Sequence, residues 1–164
     1  MSSGFFITLE GGEGAGKSTQ IKRLAGFLTA DGRDVVTTRE PGGSSGAEQI
    51  RELLLEASSE LDAISQALLF AAARNDHLRA TVRPALARGA VVLCDRFMDS
   101  TRAYQGAAGD VPVSVIDQLE ALVVGKTRPD LTFILDLPTE HGLSRAAARR
   151  GNGQGDHFEL KGHD

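Results

Sequence analysis

The chain has 164 residues, of which 41% are hydrophobic and 24% charged, a composition typical of one soluble globular domain and unlike that of a disordered chain. Its formal net charge of −4 lacks the basic excess of proteins that bind nucleic acids, and no apolar run reaches the roughly 18–20 residues that span a membrane. The single cysteine, Cys94, excludes an internal disulfide framework and, with no secretory leader visible, predicts a cytoplasmic protein without nucleic-acid or membrane partners.

Short apolar runs alternate with helical periodicity along the chain. The first half predicts a strand at Phe5–Leu9, a helix at Lys17–Ala30, a strand at Asp34–Thr38, a helix at Ala47–Ala57 and a longer helix over about 62–88. The second half predicts a strand at Ala90–Cys94, a helix over about 112–124, a strand at Leu131–Leu137 and a helix from Pro138 to about Arg150. We expect Pro84 to kink the long helix or to begin a new turn there. The pattern predicts neither a helix nor a strand for the polar segment Asp95–Asp110.

The order of these elements predicts the fold class. Strands that alternate with helices favour a parallel sheet with helices on both faces. We therefore expect a three-layer α/β fold with four parallel strands, as one domain over residues 1–164.

The turn between the first strand and the first helix fits the pattern G-x-x-x-x-G-K-[ST]. The expected phosphate-binding residues are Gly11, Gly12, Glu13, Gly14, Ala15, Gly16, Lys17, Ser18 and Thr19. Glycines let successive backbone N–H groups point at a phosphate, and the helix that follows adds its positive end. Lys17 is expected on the β/γ-phosphates and Ser18 on Mg²⁺. The turn predicts a P-loop kinase fold, because the N-K-x-D segment with which GTPases read guanine is missing.

Side chains after the second and third strands predict an acceptor site. The carboxyl ends of parallel strands meet at one edge, where such sheets bind ligands. Arg39 can fork onto an acceptor phosphate, although a surface ion pair with Glu40 is the alternative. Asp95 is a plausible Mg²⁺ partner, and Arg96 is placed to face the gap between the two phosphates.

Phe70 and Arg74 are four residues apart on a predicted helix and so share one face. An aromatic ring can stack on a base, and an arginine can donate to a base carbonyl in the same plane. The alternative for Phe70 alone is a core side chain. Ser100, Thr101 and Gln105 are candidate polar contacts to a nucleoside, or else helix caps and solvated residues.

Three segments, together with the P-loop, resemble the thymidylate (dTMP) kinase family of the bacterial type. They read Thr38-Arg39-Glu40-Pro41-Gly42-Gly43, Phe70-Ala71-Ala72-Ala73-Arg74 and Asp95-Arg96-Phe97-Met98-Asp99-Ser100-Thr101-Arg102-Ala103-Tyr104-Gln105. The resemblance runs from about residue 5 to about residue 150. It implies that ATP phosphorylates dTMP with Mg²⁺, in the cytoplasm, in a homodimer.

The resemblance also implies roles for individual residues. It places Arg39 and Arg96 on the dTMP phosphate, Phe70 and Arg74 on thymine, and Tyr104 under the sugar, where it selects deoxyribose. The implied catalytic residues are Lys17, Arg96, Glu13 and Arg149. Glu10 is a weaker candidate.

The resemblance implies a lid over about 139–157, in which arginines near the end of the last helix act on ATP. A solvated basic helix end is the alternative for these arginines. The chain departs from the family where Asp156-His157 replaces the usual Asp-Arg, and it is short for the family by a fifth strand and a last helix. Two alternative functions stay open: a nucleotide-binding P-loop remnant without catalysis, and a different P-loop nucleoside or nucleotide kinase.

Overall fold

The computed structural model describes residues 4–57 and 61–150. Four strands are present in this part of the chain: β1 (Phe5–Glu10), β2 (Val35–Arg39), β3 (Val91–Asp95) and β4 (Leu131–Ile134). The helices are α1 (Lys17–Ala30), α2 (Ser45–Ala57), α3 (Ala63–His77), α4 (Arg83–Ala87), α5 (Met98–Thr101), α6 (Val113–Val123) and α7 (Thr139–Arg150). Two π-helical turns, Leu78–Val82 and Arg102–Ala107, continue α3 and α5.

The four strands form one parallel sheet in the order β2-β3-β1-β4. Apolar side chains of β1 alternate between the two faces, as the two-residue period of a strand requires. Phe6 packs on one face with the α3–α4 region, and Ile7 and Leu9 pack on the other with Ile21 of α1. Both faces are therefore covered by helices, and the predicted α/β fold with a four-stranded parallel sheet is confirmed.

Pro84 begins a new helical turn, as predicted, because α4 starts at Arg83 and has the proline in its first turn. The π-helical turn Leu78–Val82 joins α3 to α4, where the proline has no N–H to donate to the carbonyl four residues earlier. The structure differs from the prediction after β3, where the polar segment is helical from Met98 to Ala107. No apolar period marks it, because its inward side chains, such as Thr101 and Gln105, are buried polar groups.

The carboxyl ends of β1, β2 and β3 lie side by side and position the site. The ladder continues beyond the strands, since the Glu40 N–H donates to the Asp95 carbonyl at 2.9 Å and the Arg96 N–H to the Leu9 carbonyl at 3.0 Å. The P-loop, the segment after β2 and the segment after β3 therefore start from one edge of the sheet. Within the described ranges, no helix has the length and apolarity to cross a membrane.

Candidate active site

The P-loop packs tightly against the chain that leads into α7. Gly11 and Gly14 have φ values of 134° and 70°, a region that favours glycine. A Cβ on Gly11 would collide with the carbonyl oxygen of Leu135, and one on Gly14 with that of Gly142. These close backbone approaches explain why glycine occupies both positions.

Lys17, the first residue of α1, is folded back over the loop. Its ammonium donates to the carbonyl oxygens of Gly11 at 2.9 Å and Gly12 at 2.8 Å. Burial, and then the positive charge of Arg96, lower the pKa of Lys17 to about 8. The cation therefore lies in a partly dehydrated site that an anion would stabilise.

Ser18 and Asp95 meet where α1 begins and β3 ends. The serine hydroxyl donates to Asp95 Oδ2 at 2.8 Å. A hydroxyl and a carboxylate beside a phosphate loop are the hard oxygen ligands that suit Mg²⁺, which commonly takes one or two protein ligands and completes its shell with phosphates and water. The pair fits that ion, and no cluster of three or more acidic, histidine or cysteine ligands occurs among the described residues.

A second cleft opens beside the P-loop, with a volume of about 720 Å³ that includes solvent at its mouth. Seven of the eight predicted acceptor-site residues line it: Phe70, Arg74, Arg96, Ser100, Thr101, Tyr104 and Gln105. The other lining residues are Glu40, Pro41, Arg51, Leu55 and Phe97. A cleft with one apolar wall and a few cationic and hydroxyl groups suits a small anionic ligand with a planar ring.

Arg96 lies between the P-loop and this cleft. Its backbone has φ of 67°, a strained conformation for a non-glycine residue, and such strain concentrates at functional sites. Its Nη1 donates to Ser100 Oγ at 3.3 Å and to Tyr104 Oη at 3.4 Å, and the guanidinium lies 5.4 Å from the centre of the Tyr104 ring. Ser100 and Tyr104 therefore hold the guanidinium between the P-loop and the cleft.

Glu10, at the end of β1, binds the segment that follows Arg96. Its carboxylate accepts from the Phe97 N–H and from the Ser100 hydroxyl, both at 2.7 Å. Burial raises the pKa of Glu10, against the opposing effect of these two hydrogen bonds. Because Ser100 donates to Glu10, its oxygen is oriented to accept from Arg96.

Arg74 is buried in the wall of the cleft. Its Nε donates to Glu40 Oε2 at 2.7 Å, and its Nη2 donates to the Phe97 carbonyl and to Thr101 Oγ1, each at 3.0 Å. Phe70 lies one helical turn earlier and also lines the cleft. The helical spacing that predicted a shared face for Phe70 and Arg74 therefore places both at one cavity.

Arg39 does not line the cleft. Its Nη2 lies 3.1 Å from both carboxylate oxygens of Glu48 in α2. Glu48 also accepts from the Gly43 N–H, and this bond is the main cause that lowers the pKa of Glu48. The alternative ion pair of Arg39 with Glu40 is wrong: Glu40 turns inward to Arg74. A role for Arg39 on an acceptor phosphate stays a prediction.

Part of the predicted lid lies in α7. The side chain of Arg149 lies outside the described part of the structure, as do residues 151–157, including Asp156-His157. Glu13 lies in the P-loop, where its charge acts on Lys17, and the glycine contact places the first turn of α7 against this loop.

Sequence reasoning missed several residues of the site. Glu40 was considered only as a partner of Arg39, and Arg51, which donates to the Pro41 carbonyl at 3.0 Å, was not singled out. His77, which is buried, is not among the predicted site residues. Its position three residues after Arg74, on the same helix face, is the signal that could have indicated it.

A parallel α/β sheet that carries a P-loop beside a second ligand cleft at its carboxyl edge defines a P-loop kinase, a transferase of the nucleoside monophosphate kinase class. The model of the family "Thymidylate kinase" matches residues 9–163. The chain therefore belongs to the thymidylate kinase family.

Individual relatives agree with this assignment. A thymidylate kinase of Caulobacter vibrioides is 62% identical over 163 residues, which are 99% of this chain and 77% of the relative. A thymidylate kinase of Rhodopseudomonas palustris is 56% identical over 163 residues, 98% of this chain and 71% of the relative. The crystal structure of thymidylate kinase from Ehrlichia chaffeensis superposes with a TM-score of 0.76 at 39% identity and covers 92% of this chain and 88% of that one.

Proposed function

We propose that the protein transfers the γ-phosphoryl group of ATP to dTMP, giving ADP and dTDP for dTTP synthesis. One observation carries the proposal: Arg96 lies between the buried Lys17 of the P-loop and a cleft lined by the predicted base-site residues Phe70 and Arg74. An oxygen of the dTMP phosphate attacks the γ-phosphorus, and the bond from that phosphorus to the β–γ bridging oxygen breaks. No covalent enzyme intermediate is needed, since positioning and electrostatics supply the catalysis.

The P-loop holds the triphosphate in this proposal. Backbone N–H groups over residues 11–19 surround the phosphates. Lys17 exchanges its two carbonyl partners for β/γ-phosphate oxygens, and the anion restores its full positive charge. Glu13 is the catalytic candidate that would act on the acceptor side of the loop in this proposal.

Ser18 and Asp95 would hold Mg²⁺, supported by their direct hydrogen bond beside the loop. When bound, the ion neutralises charge that develops on the β- and γ-phosphate oxygens. The Ser18 oxygen would serve as a ligand through a lone pair, and its hydrogen would remain available for donation to Asp95. Both groups are already together before the ion arrives, which limits the reorganisation that binding needs.

The cleft takes dTMP. Phe70 stacks on thymine, Arg74 donates to a thymine carbonyl, and Tyr104 lies under the sugar and excludes a 2′-hydroxyl. Ser100, Thr101 and Gln105 supply further polar contacts. Arg39 and Arg96 bind the acceptor phosphate, and Arg96 also stabilises the charge that spreads over the transferring group. For Arg39 this requires that its guanidinium leave Glu48, an exposed ion pair of small net energy.

Further parts of the proposal concern the lid and the assembly. Residues 139–157 act as a lid that closes over ATP and excludes water, with Arg149 on the phosphates.

The protein forms a homodimer in the cytoplasm. Apolar side chains that are about half exposed on the packed helices α2 and α3, namely Leu53, Ile64 and Leu68, support an interface there.

A coupled assay of ADP release with ATP, Mg²⁺ and dTMP tests the proposed reaction. We expect turnover that requires dTMP, with lower kcat/KM for dUMP, dCMP and thymidine. The Lys17→Ala variant serves as the control and should lose turnover while keeping its fold. A preference for thymidine over dTMP would assign a different acceptor. Binding of dTMP without turnover would favour a nucleotide-binding protein without catalysis.

A further inference from the structure

A run of buried polar side chains connects the end of β2 to the wall of the cleft. The Nε2 atom of His77 lies 2.7 Å from Thr38 Oγ1, and its Nδ1 lies 2.9 Å from Glu40 Oε1. The other oxygen of Glu40 accepts from Arg74 Nε at 2.7 Å. The side chains of His77, Glu40 and Arg74 are 0%, 4% and 5% exposed. Thus one buried carboxylate joins a histidine that no ligand in the cleft can touch to an arginine that lines the cleft.

The hydrogen bonds of His77 place a proton on Nδ1. An ionised carboxylate only accepts, so Nδ1 carries a hydrogen and donates it to Glu40. Nε2 bonds with the Thr38 hydroxyl, so both ring nitrogens have a partner. Arg74 supplies the positive charge that the buried carboxylate requires. His77 therefore fixes the orientation of Glu40.

Arg74 is left with one nitrogen for a ligand. Nε is held by Glu40, and Nη2 is held by the Phe97 carbonyl and the Thr101 hydroxyl. The guanidinium also lies 5.0 Å from the centre of the Phe97 ring. Among the residues that the structure describes, none accepts from Nη1, and Arg74 lines the cleft. The position of this last donor depends on how firmly the other two nitrogens are held.

We propose that His77 is a positioning residue for recognition of the acceptor base. Through Glu40 it fixes the plane of the Arg74 guanidinium, so that Nη1 meets a carbonyl oxygen of the base and disfavours a base that presents an amino group there. This inference rests on the proposed function. It adds a residue that never touches the substrate and whose effect is on base selection.

Two substitutions of His77 separate positioning from packing. His77→Leu keeps the apolar volume and removes both hydrogen bonds, whereas His77→Asn keeps an N–H donor near the position of Nδ1. For His77→Leu we expect a KM for dTMP that is about tenfold higher, a KM for ATP within about twofold, and a ratio of kcat/KM for dTMP over dCMP that falls about tenfold. His77→Asn should recover most of both effects.

Leu78→Ala is the matched control, because Leu78 is the next residue and is equally buried. It should lower stability and leave the dTMP over dCMP ratio unchanged. Thr38→Val provides a second test if His77→Leu does not fold: it removes only the hydroxyl that holds Nε2 and should raise the KM for dTMP about threefold, with a smaller change for ATP.

The outcomes distinguish this inference from the proposed function. If the unmodified protein turns over dTMP but His77→Leu, or Thr38→Val in its place, leaves the dTMP over dCMP ratio unchanged, the positioning role is overturned and the kinase assignment stands. Equal changes in the KM values for dTMP and ATP, or no recovery by His77→Asn, also overturn it. If the unmodified protein shows no dTMP-dependent turnover, the proposed function itself fails.

Discussion

Several residues of the site carry buried charges or a strained backbone, and each of these features raises the free energy of the folded, ligand-free protein. Lys17 is a partly dehydrated cation, and Arg74 and Glu40 form a buried ion pair. Arg96 has a strained backbone. Such groups add little to folding by themselves, because dehydration offsets much of their mutual attraction. Because these residues lie together at one edge of the sheet, a substrate that bound there would also change the free energy of unfolding.

The pKa of Lys17 predicts a pH dependence of stability for the ligand-free protein. In the unfolded chain the lysine keeps its proton up to about pH 10.5, whereas in the folded protein it loses it above about pH 8. Between these values the unfolded state binds more protons, so the free energy of unfolding increases with pH. Chemical denaturation of the wild type and of Lys17→Met at pH 7 and pH 9.5 measures this. The wild type should gain stability relative to the variant, and an unchanged difference would contradict the lowered pKa.

Replacement of Arg74 by alanine should have two separable effects. The buried Glu40 carboxylate loses its cation, which costs about 3–5 kcal/mol of unfolding free energy. The KM for dTMP should rise more than the KM for ATP. Arg39→Ala is the control for stability, since its exposed pair with Glu48 is worth at most about 1 kcal/mol. Urea unfolding and steady-state kinetics measure both effects, and equal KM changes for the two substrates would remove Arg74 from the base site.

At the scale of elements, the P-loop depends on α7 as well as on β1 and α1. Gly14 and Gly142 meet backbone to backbone, and Gly11 meets Leu135 in the same way. The loop conformation is therefore determined by a contact with a segment more than a hundred residues later. This contact also places the first turn of α7 against the P-loop.

A pair of glycine substitutions tests this contact. Gly14→Ala places a methyl group against the Gly142 carbonyl at a φ of 70°, and it should cost about 1–3 kcal/mol of stability. Gly12→Ala meets nothing within 4 Å, and its stability should lie within about 0.5 kcal/mol of the wild type. Thermal and urea unfolding measure the difference. Equal stability of the two variants would show that the loop and α7 do not pack as described.

On the scale of the whole molecule, three exposed apolar side chains lie on the neighbouring helices α2 and α3. Leu53, Ile64 and Leu68 are all about half exposed on two helices that pack on each other. A homodimer through these helices would remove the three side chains from water.

Light scattering of the eluted protein tests the dimer. Leu68→Asp should convert a dimer to a monomer, because a charge buried in an apolar interface is unfavourable. Phe27→Asp is the control, since Phe27 is a still more exposed apolar residue but lies on α1. A monomeric wild type would overturn the proposed dimer, and a dimer that survives Leu68→Asp and not Phe27→Asp would place the interface on another surface.

The amino-acid sequence was sufficient to predict the fold class and most of the side chains that line the cleft. The period of apolar residues specifies which faces are buried, and the P-loop and the helical spacing of Phe70 and Arg74 are local patterns. These features depend on neighbours within a few residues. The helical segment over residues 98–107 was not predicted, because its buried face is polar and so has no apolar periodicity.

The pairing of charged groups depends on contacts between segments that are distant in the chain. Arg74 and Glu40 are 34 residues apart in the chain, and Ser18 and Asp95 are 77 apart. Arg39 pairs with Glu48 and not with its neighbour Glu40, because the chain turns after β2 and directs Glu40 inward. The sequence contains many arginines and carboxylates, and it does not show which of them form pairs. Burial selects among them, since a charge removed from water must find its partner within a few ångströms.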